Sequence, residues 1–284
     1  MRWGDFQRSG NVEDRRGLSP VVAGGGLGIG GLITVGLISL FFGVDPRILL
    51  QMAPGSSPSQ NQEQVTPGTP TDQAGQFVAA VLGQTEETWS DIFRQQGRSY
   101  EKPRLVLFGG STQSGCGFAR AQMGPFYCPL DRKLYLDMAF FDELRNRFHA
   151  PGEFAEAYVI AHEVGHHVQN LLGILPRVHE AQQRSDQVEA NQLSVRLELQ
   201  ADCLAGVWAN RTEQAKHFLE KGDVESAIND ASAIGDDKLQ QQARGYVVPD
   251  AFTHGSSKQR VRWFMSGFNG GKLESCNTFG AEAI

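Results

Sequence analysis

His162, Glu163 and His166 stand in the run AHEVGHHVQN, Ala161 to Asn170, at the spacing H-E-x-x-H. An α-helix turns about 100° per residue, so His166 lies only about 40° around the axis from His162, one turn further on. Two imidazoles so placed can hold one metal ion. The spacing is that of zinc hydrolases: zinc lowers the pKa of a water toward about 7, and the intervening acid takes its proton as a carbonyl is attacked, then returns it to the leaving amine. Glu163 is therefore the candidate general base, and His162 and His166 are candidate ligands of one Zn²⁺ per chain. His167 points about 140° away from His162 and is expected to pack rather than ligate.

A catalytic zinc takes three protein ligands and keeps one position open. Downstream, RLELQADCLAGVW places Glu198 and Asp202 at i and i+4, so both carboxylates share one face of a helix amid Leu197, Leu199 and Leu204. Glu198 is the expected third ligand, with Glu189 in the more polar QVEANQ as runner-up. Asp202 is expected to accept a hydrogen bond from the far nitrogen of a ligating histidine, His162 first, and so fix its tautomer. Hydrolysis of an amide also needs a donor for the developing oxyanion. GYVVPDAFTHGSSKQRVRW offers Tyr246, His254 and Arg260 near the chain's end; Arg260 has the alternative role of pairing with Asp202 or Glu198. His149, His179 and His217 stand in polar contexts and are expected at the surface.

The elements that must position these groups follow from the pattern of the chain. Phe77, Val81, Trp89, Ile92 and Phe93 recur with helical period from about residue 73. RLVLFGG, PFYCP and KLYLD are short branched and aromatic runs bounded by Gly, Pro and Asp, expected to form a small sheet. An exposed edge of the first or second of these could pair with an extended peptide. MAFFDELRNRF returns to helix, and Pro151-Gly152 separates it from the histidine helix, which runs from about Glu153 to the stop at Gly173 and Pro176. A long amphipathic helix follows over about 186–211, then shorter ones near 223–234 and 238–243, and a last one capped by Ser256. The expected fold is α+β, a mainly helical zincin-like domain over about 73–284 with a minor sheet.

The chain has 284 residues, a net charge of −6 and no run of Lys or Arg, which argues against nucleic acid as the main partner. Leu18 to Val44 contains no charged residue and exceeds the roughly 20 residues needed to cross a bilayer, so one transmembrane helix over 18–44 is expected. Arg2, Arg8, Arg15 and Arg16 precede it and only Arg47 follows closely, which by the positive-inside rule makes 1–17 a cytoplasmic segment and puts the body outside. Residues 45–72, rich in Pro, Gly, Ser and Gln, read as a disordered linker. In that exported setting the four cysteines can oxidise; of three possible pairings, Cys116 with Cys128 and Cys203 with Cys276 are expected.

Taken together, NVEDRRG before a Gly-rich span, SGCG, FYCPLDRKLYLD, AYVIAHEVGHHVQNLLG, LELQADCLAGVWA and FTHGSSKQRVRWF resemble the bacterial putative neutral zinc metallopeptidases, membrane-anchored proteins with a periplasmic or external body. The resemblance covers nearly the whole chain apart from the linker and implies a zinc peptidase of exported or envelope proteins at the bacterial cytoplasmic membrane. More distantly, E-x-x-x-D at Glu198 to Asp202 and Thr253, His254 and Arg260 are similar to gluzincin-type proteases, including the CAAX-processing membrane enzymes. In those the first acid binds zinc and the second supports a histidine. They have several spans and a proline where this chain has Gly255, so their substrate preference does not carry over. The alternative is a metal-stabilised periplasmic scaffold or regulatory binding protein that cleaves little.

Overall fold

A computed structural model of the chain describes residues 1–17, 66–67, 70–146, 152–282 and 284. Five strands form one sheet in the order β2-β1-β3-β7-β6: β1 (Val12–Asp14), β2 (Thr66–Pro67), β3 (Arg104–Phe108), β6 (Phe126–Cys128) and β7 (Lys133–Asp137). β1, β3 and β7 run parallel, while β2 and β6 are antiparallel at the two edges. RLVLF and KLYLD hold the interior because both faces of their strands are buried, as befits near-continuous apolar runs. Their alternate side chains separate cleanly: Leu105, Leu107, Leu134 and Leu136 join the main core, whereas Val106, Phe108 and Tyr135 join Cys128 in a small cluster on the other face. A hairpin, β4 (Ser111–Ser114) with β5 (Gly117–Arg120), is tied to β6 by the Cys116–Cys128 disulfide.

The helices are α1 (Gln73–Gln95), α2 (Ala139–Asn146), α3 (Glu153–Leu171), α4 (Ile174–Gln182), α5 (Gln187–Lys216), α6 (Asp223–Ala233), α7 (Asp236–Arg244) and α8 (Ser257–Gly270). The expected class holds, α+β, mainly helical, with a minor sheet; α4 was not expected, because Pro176, read as a stop, sits in its first turn, where no backbone donor is needed. Asp72 caps α1 through Gly75, and Ser256 with Gln259 makes a capping box for α8. α5 continues five residues past its expected end, stopping where His217 turns left-handed. The core is built on close helix contacts. A Cβ on Gly267 of α8 would lie 1.9 Å from the Cys203 carbonyl oxygen of α5, and one on Gly206 would lie 2.1 Å from that of Phe264. Only glycine permits this approach, and the Cys203–Cys276 disulfide ties α5 to the short turn Leu273–Cys276 that follows α8.

The sequence reading set residues 1–17 apart from the body and made 45–72 a disordered linker. In the structure Met1–Gly17 belong to one compact unit with Val65–Ile284. β1 lies between β2 and β3, Phe6 is 2% exposed, and Thr66, Pro67 and Asp72 are ordered parts of the body. The polar run NVED hid this strand, because Glu13 is buried by ion pairing rather than by apolarity. The expected span 18–44 lies outside the described residues, among which no helix is long and apolar enough to cross a membrane.

Candidate metal centre

α3 and α5 cross where Gly165 faces Ala201, and a Cβ on Gly165 would sit 3.1 Å from the Ala201 Cα. This contact brings one face of each helix together. His162 Nε2 stands 3.2 Å from Glu198 Oε2, and His166 Nε2 stands 3.4 Å from Glu198 Oε1. All three ligand atoms fall within 4.8 Å of one another. Ligands about 2.0–2.1 Å from a tetrahedral zinc are separated by about 3.3 Å, so the two histidine-to-carboxylate spacings match edges of such a site.

The hydrogen bonds behind the ring nitrogens settle the tautomers. His162 Nδ1 is 2.8 Å from Asp202 Oδ1, and His166 Nδ1 is 2.9 Å from Gln169 Oε1. A carboxylate and an amide oxygen can only accept, so both Nδ1 atoms carry a proton and both Nε2 atoms, which face Glu198, are left as the ligand atoms once an ion displaces any proton they hold. Gln169 is held by donating to the Leu197 carbonyl and to Gln200 Oε1. Asp202, wholly buried, also receives Arg260 through Nε and Nη2, both at 2.9 Å, and the Tyr158 hydroxyl. Burial works against its charge, but Arg260 and His162 prevail and hold its carboxyl down to about 2.

Charge completes the test of fit. Glu163, Glu198 and Asp202 bring three carboxylates, and Arg260 is the permanent cation among them, which leaves a formal charge of −2. Buried charge is costly unless matched. A divalent ion matches it. The same field works against burial to raise the proton affinity of His162 up to about 10, through Asp202 and Glu198.

Glu163 is 9% exposed beside the two histidines and faces the cleft. Burial raises its pKa, opposed by the imidazoles and by the Tyr127 backbone N–H of β6. The cleft has a volume of about 660 Å³, and the 121–127 segment and His254 help to line it. Asp236 arranges His254: one carboxylate oxygen accepts the backbone N–H groups of Thr253, His254 and Gly255, and the other lies 3.4 Å from His254 Nδ1. His254 Nδ1 also lies 3.0 Å from the Thr253 hydroxyl, and Asp236 raises the pKa of the ring.

The structure thus brings His162, Glu163, His166, Glu198, Asp202, His254 and Arg260 together. Arg260 takes the pairing role on Asp202 and is 3% exposed. Tyr246 does not join them; it is 59% exposed, past the left-handed Gly245 that ends α7, and is not among the residues lining the cleft. Glu189 is exposed in the first turn of α5. His167 is buried against Tyr127 and the Glu101 carbonyl, as expected of a packing residue. His217 is exposed, His179 is exposed on the rim of the cleft, and His149 lies outside the described residues. Tyr158, Gln169 and Asp236 were missed. Tyr158 and Gln169 stand four residues before His162 and three after His166, a spacing that already puts them on the ligand face.

The family model described as putative neutral zinc metallopeptidase matches residues 1–279. An Escherichia coli (strain K12) protein named "Uncharacterized protein YpfJ" is 49% identical over 288 residues, covering 99% of each chain. An uncharacterized protein of Mycobacterium bovis is 39% identical over 259 residues, covering 86% of this chain and 85% of its own. No solved structure matches.

Proposed function

This chain belongs to the putative neutral zinc metallopeptidase family, and from that premise we propose that it is a zinc-dependent endopeptidase acting on exported or envelope proteins. The observation that carries the reading is the pair of Nε2 atoms converging with the Glu198 carboxylate beside a buried Glu163, at the floor of an open cleft. His162, His166 and Glu198 would hold the ion, which when bound acidifies water and polarises a carbonyl. Glu163 takes the proton of the attacking water and hands it to the leaving amine; the pKa lifted by burial brings it toward the working range of a base. His254, backed by Asp236, donates from Nε2 to the oxyanion on the attacked carbonyl. An extended peptide pairs along β6, the edge strand beside Glu163; β3 is flanked on both sides and offers no edge. The two disulfides and the apolar stretch 18–44 support an exported, membrane-attached location.

The test is metal analysis and proteolysis of the purified full chain on an unfolded protein substrate. About one zinc per chain is expected, lost in His162→Ala. Glu163→Gln should keep the metal and lose cleavage by at least about 100-fold. Full zinc occupancy with no cleavage across a broad peptide library would instead establish a metal-stabilised scaffold.

A further inference from the structure

The two ends of the cleft differ in chemistry. α3 carries Val159, His162, Glu163 and His166 into it, and the elements packed at either end of that helix supply the walls. Beyond His166 the wall is mixed: Leu175, His179 and Gln182 come from α4, and Ser194 and Leu197 from α5. Before His162 it is apolar with one acid at its rim. Phe140 and Glu143 come from α2, Val159 from α3, Ile234 from the end of α6, and Leu239 from α7. Two contacts hold these elements at the start of α3. Arg145 of α2 bonds Glu156 in the first turn of α3, and the Ser226 hydroxyl oxygen of α6 lies 3.0 Å from where a Cβ on Gly152, the residue before α3, would stand. Phe141 and Leu144 anchor α2 in the core, which leaves Phe140 and Glu143, three residues apart, side by side along the cleft.

Glu143 is exposed, and among the described residues it has neither a hydrogen bond nor an ion pair. The cation on its own helix, Arg145, is taken by Asp142 and Glu156. The other acids of the lining belong to the metal centre: Glu198 faces both ligand histidines, and Glu163 lies beside them. Arg260, the one Lys or Arg among the described lining residues, is 3% exposed and bound to Asp202. Nothing in the lining therefore answers Glu143. A group that fits this end needs a methylene chain to lie along Phe140, Val159, Ile234 and Leu239, and a positive charge at its tip. Lys and Arg have that build, an apolar stem with a charged head that stays in water. An acidic side chain would meet a like charge there, and a plain aliphatic one would cover the wall and leave the carboxylate alone. Val159 precedes His162 by three positions, about 4.5 Å of helix rise, and an extended peptide advances about 3.3 Å per residue. We propose that Glu143 selects a Lys or Arg side chain of the substrate, within about two residues of the scissile bond and on one side of it only. This deepens the peptidase reading and rests on it.

The experiment measures kcat/KM of the full, zinc-loaded chain on fluorescent peptides that carry Lys, norleucine or Glu at each position around one cleavable bond. Norleucine keeps the stem and drops the ammonium. At one position the parent should favour Lys over norleucine by about 5-fold, the scale of a partly exposed ion pair, and the preference should shrink as salt rises. Glu143→Gln should erase the Lys-to-norleucine ratio, and Glu143→Lys should turn it into a preference for Glu, both with unchanged zinc content. A Lys preference that survives both substitutions, or a parent that treats Lys and norleucine alike at every position, overturns the inference. If the parent cleaves none of the peptides, the peptidase reading falls, and the affinities of the same peptides for the parent and the Glu143→Lys protein decide the subsite. Tighter binding of the Lys peptide by the parent alone upholds it; equal binding of the Lys and norleucine peptides overturns it.

Discussion

Two places in this protein bury acids, and they neutralise them differently. In the sheet, the Glu13 side chain is 4% exposed and meets Arg15 at 2.8 Å, Lys133 at 2.8 Å and Arg104 at 3.3 Å. One negative charge is surrounded by three positive ones, all from the chain. Between α3 and α5, Arg260 pairs with Asp202, while Glu198 faces the two imidazoles. Folding thus closes the first cluster with permanent cations and leaves the carboxylates of the second to protons on the imidazoles or to a bound ion. The difference separates an ion pair that serves the fold from a site built to take in a guest.

That contrast can be tested at both ends. Arg260→Met should have the largest effect, because it leaves Asp202 charged, buried and without its cation; a loss of about 3–5 kcal/mol in chemical denaturation is expected. His254→Ala should lower kcat by about 10²- to 10³-fold with zinc content unchanged, since it removes a donor and no ligand. Equal zinc loss would move His254 into the ligand set. Acid should single out Asp202 next. Its folded pKa of about 2 lies below the ordinary 3.8, so its contribution is complete above pH 4 and fades as pH falls toward 2. At 1.36 kcal/mol per pKa unit this is about 2 kcal/mol, and Asp202→Asn should flatten that part of the stability profile. Glu13→Gln should cost least, about 1 kcal/mol, because Arg104 is largely exposed and can return to water, and it should leave zinc binding untouched. A loss of zinc in Glu13→Gln would end the distinction between the two clusters.

The same contrast explains what could be read from the sequence. The guest site was legible because a helix repeats: His162, His166, Glu198 and Asp202 declare their common faces through i, i+4 spacing alone, and the cysteine pairs hold as expected. The ion-paired strand was not. Val12 to Asp14 is three residues long, and its place between β2 and β3 comes from partners about 50 and 90 positions away. Asp236 reads locally as an acid in the first turn of α7, and only the fold reveals that it clamps Thr253 to Gly255. Tyr246 erred in the other direction: an aromatic near His254 in sequence turns outward once α7 ends at Gly245.

The missing methyl at Gly165 makes the helix backbones, rather than the side-chain torsions, set the diameter of the ligand ring. Putting one there would press on Ala201 at 3.1 Å and spread α3 from α5 by a few tenths of an ångström. Gly165→Ala should therefore weaken zinc binding with every ligand residue retained, because the widened gap draws the two imidazoles away from Glu198.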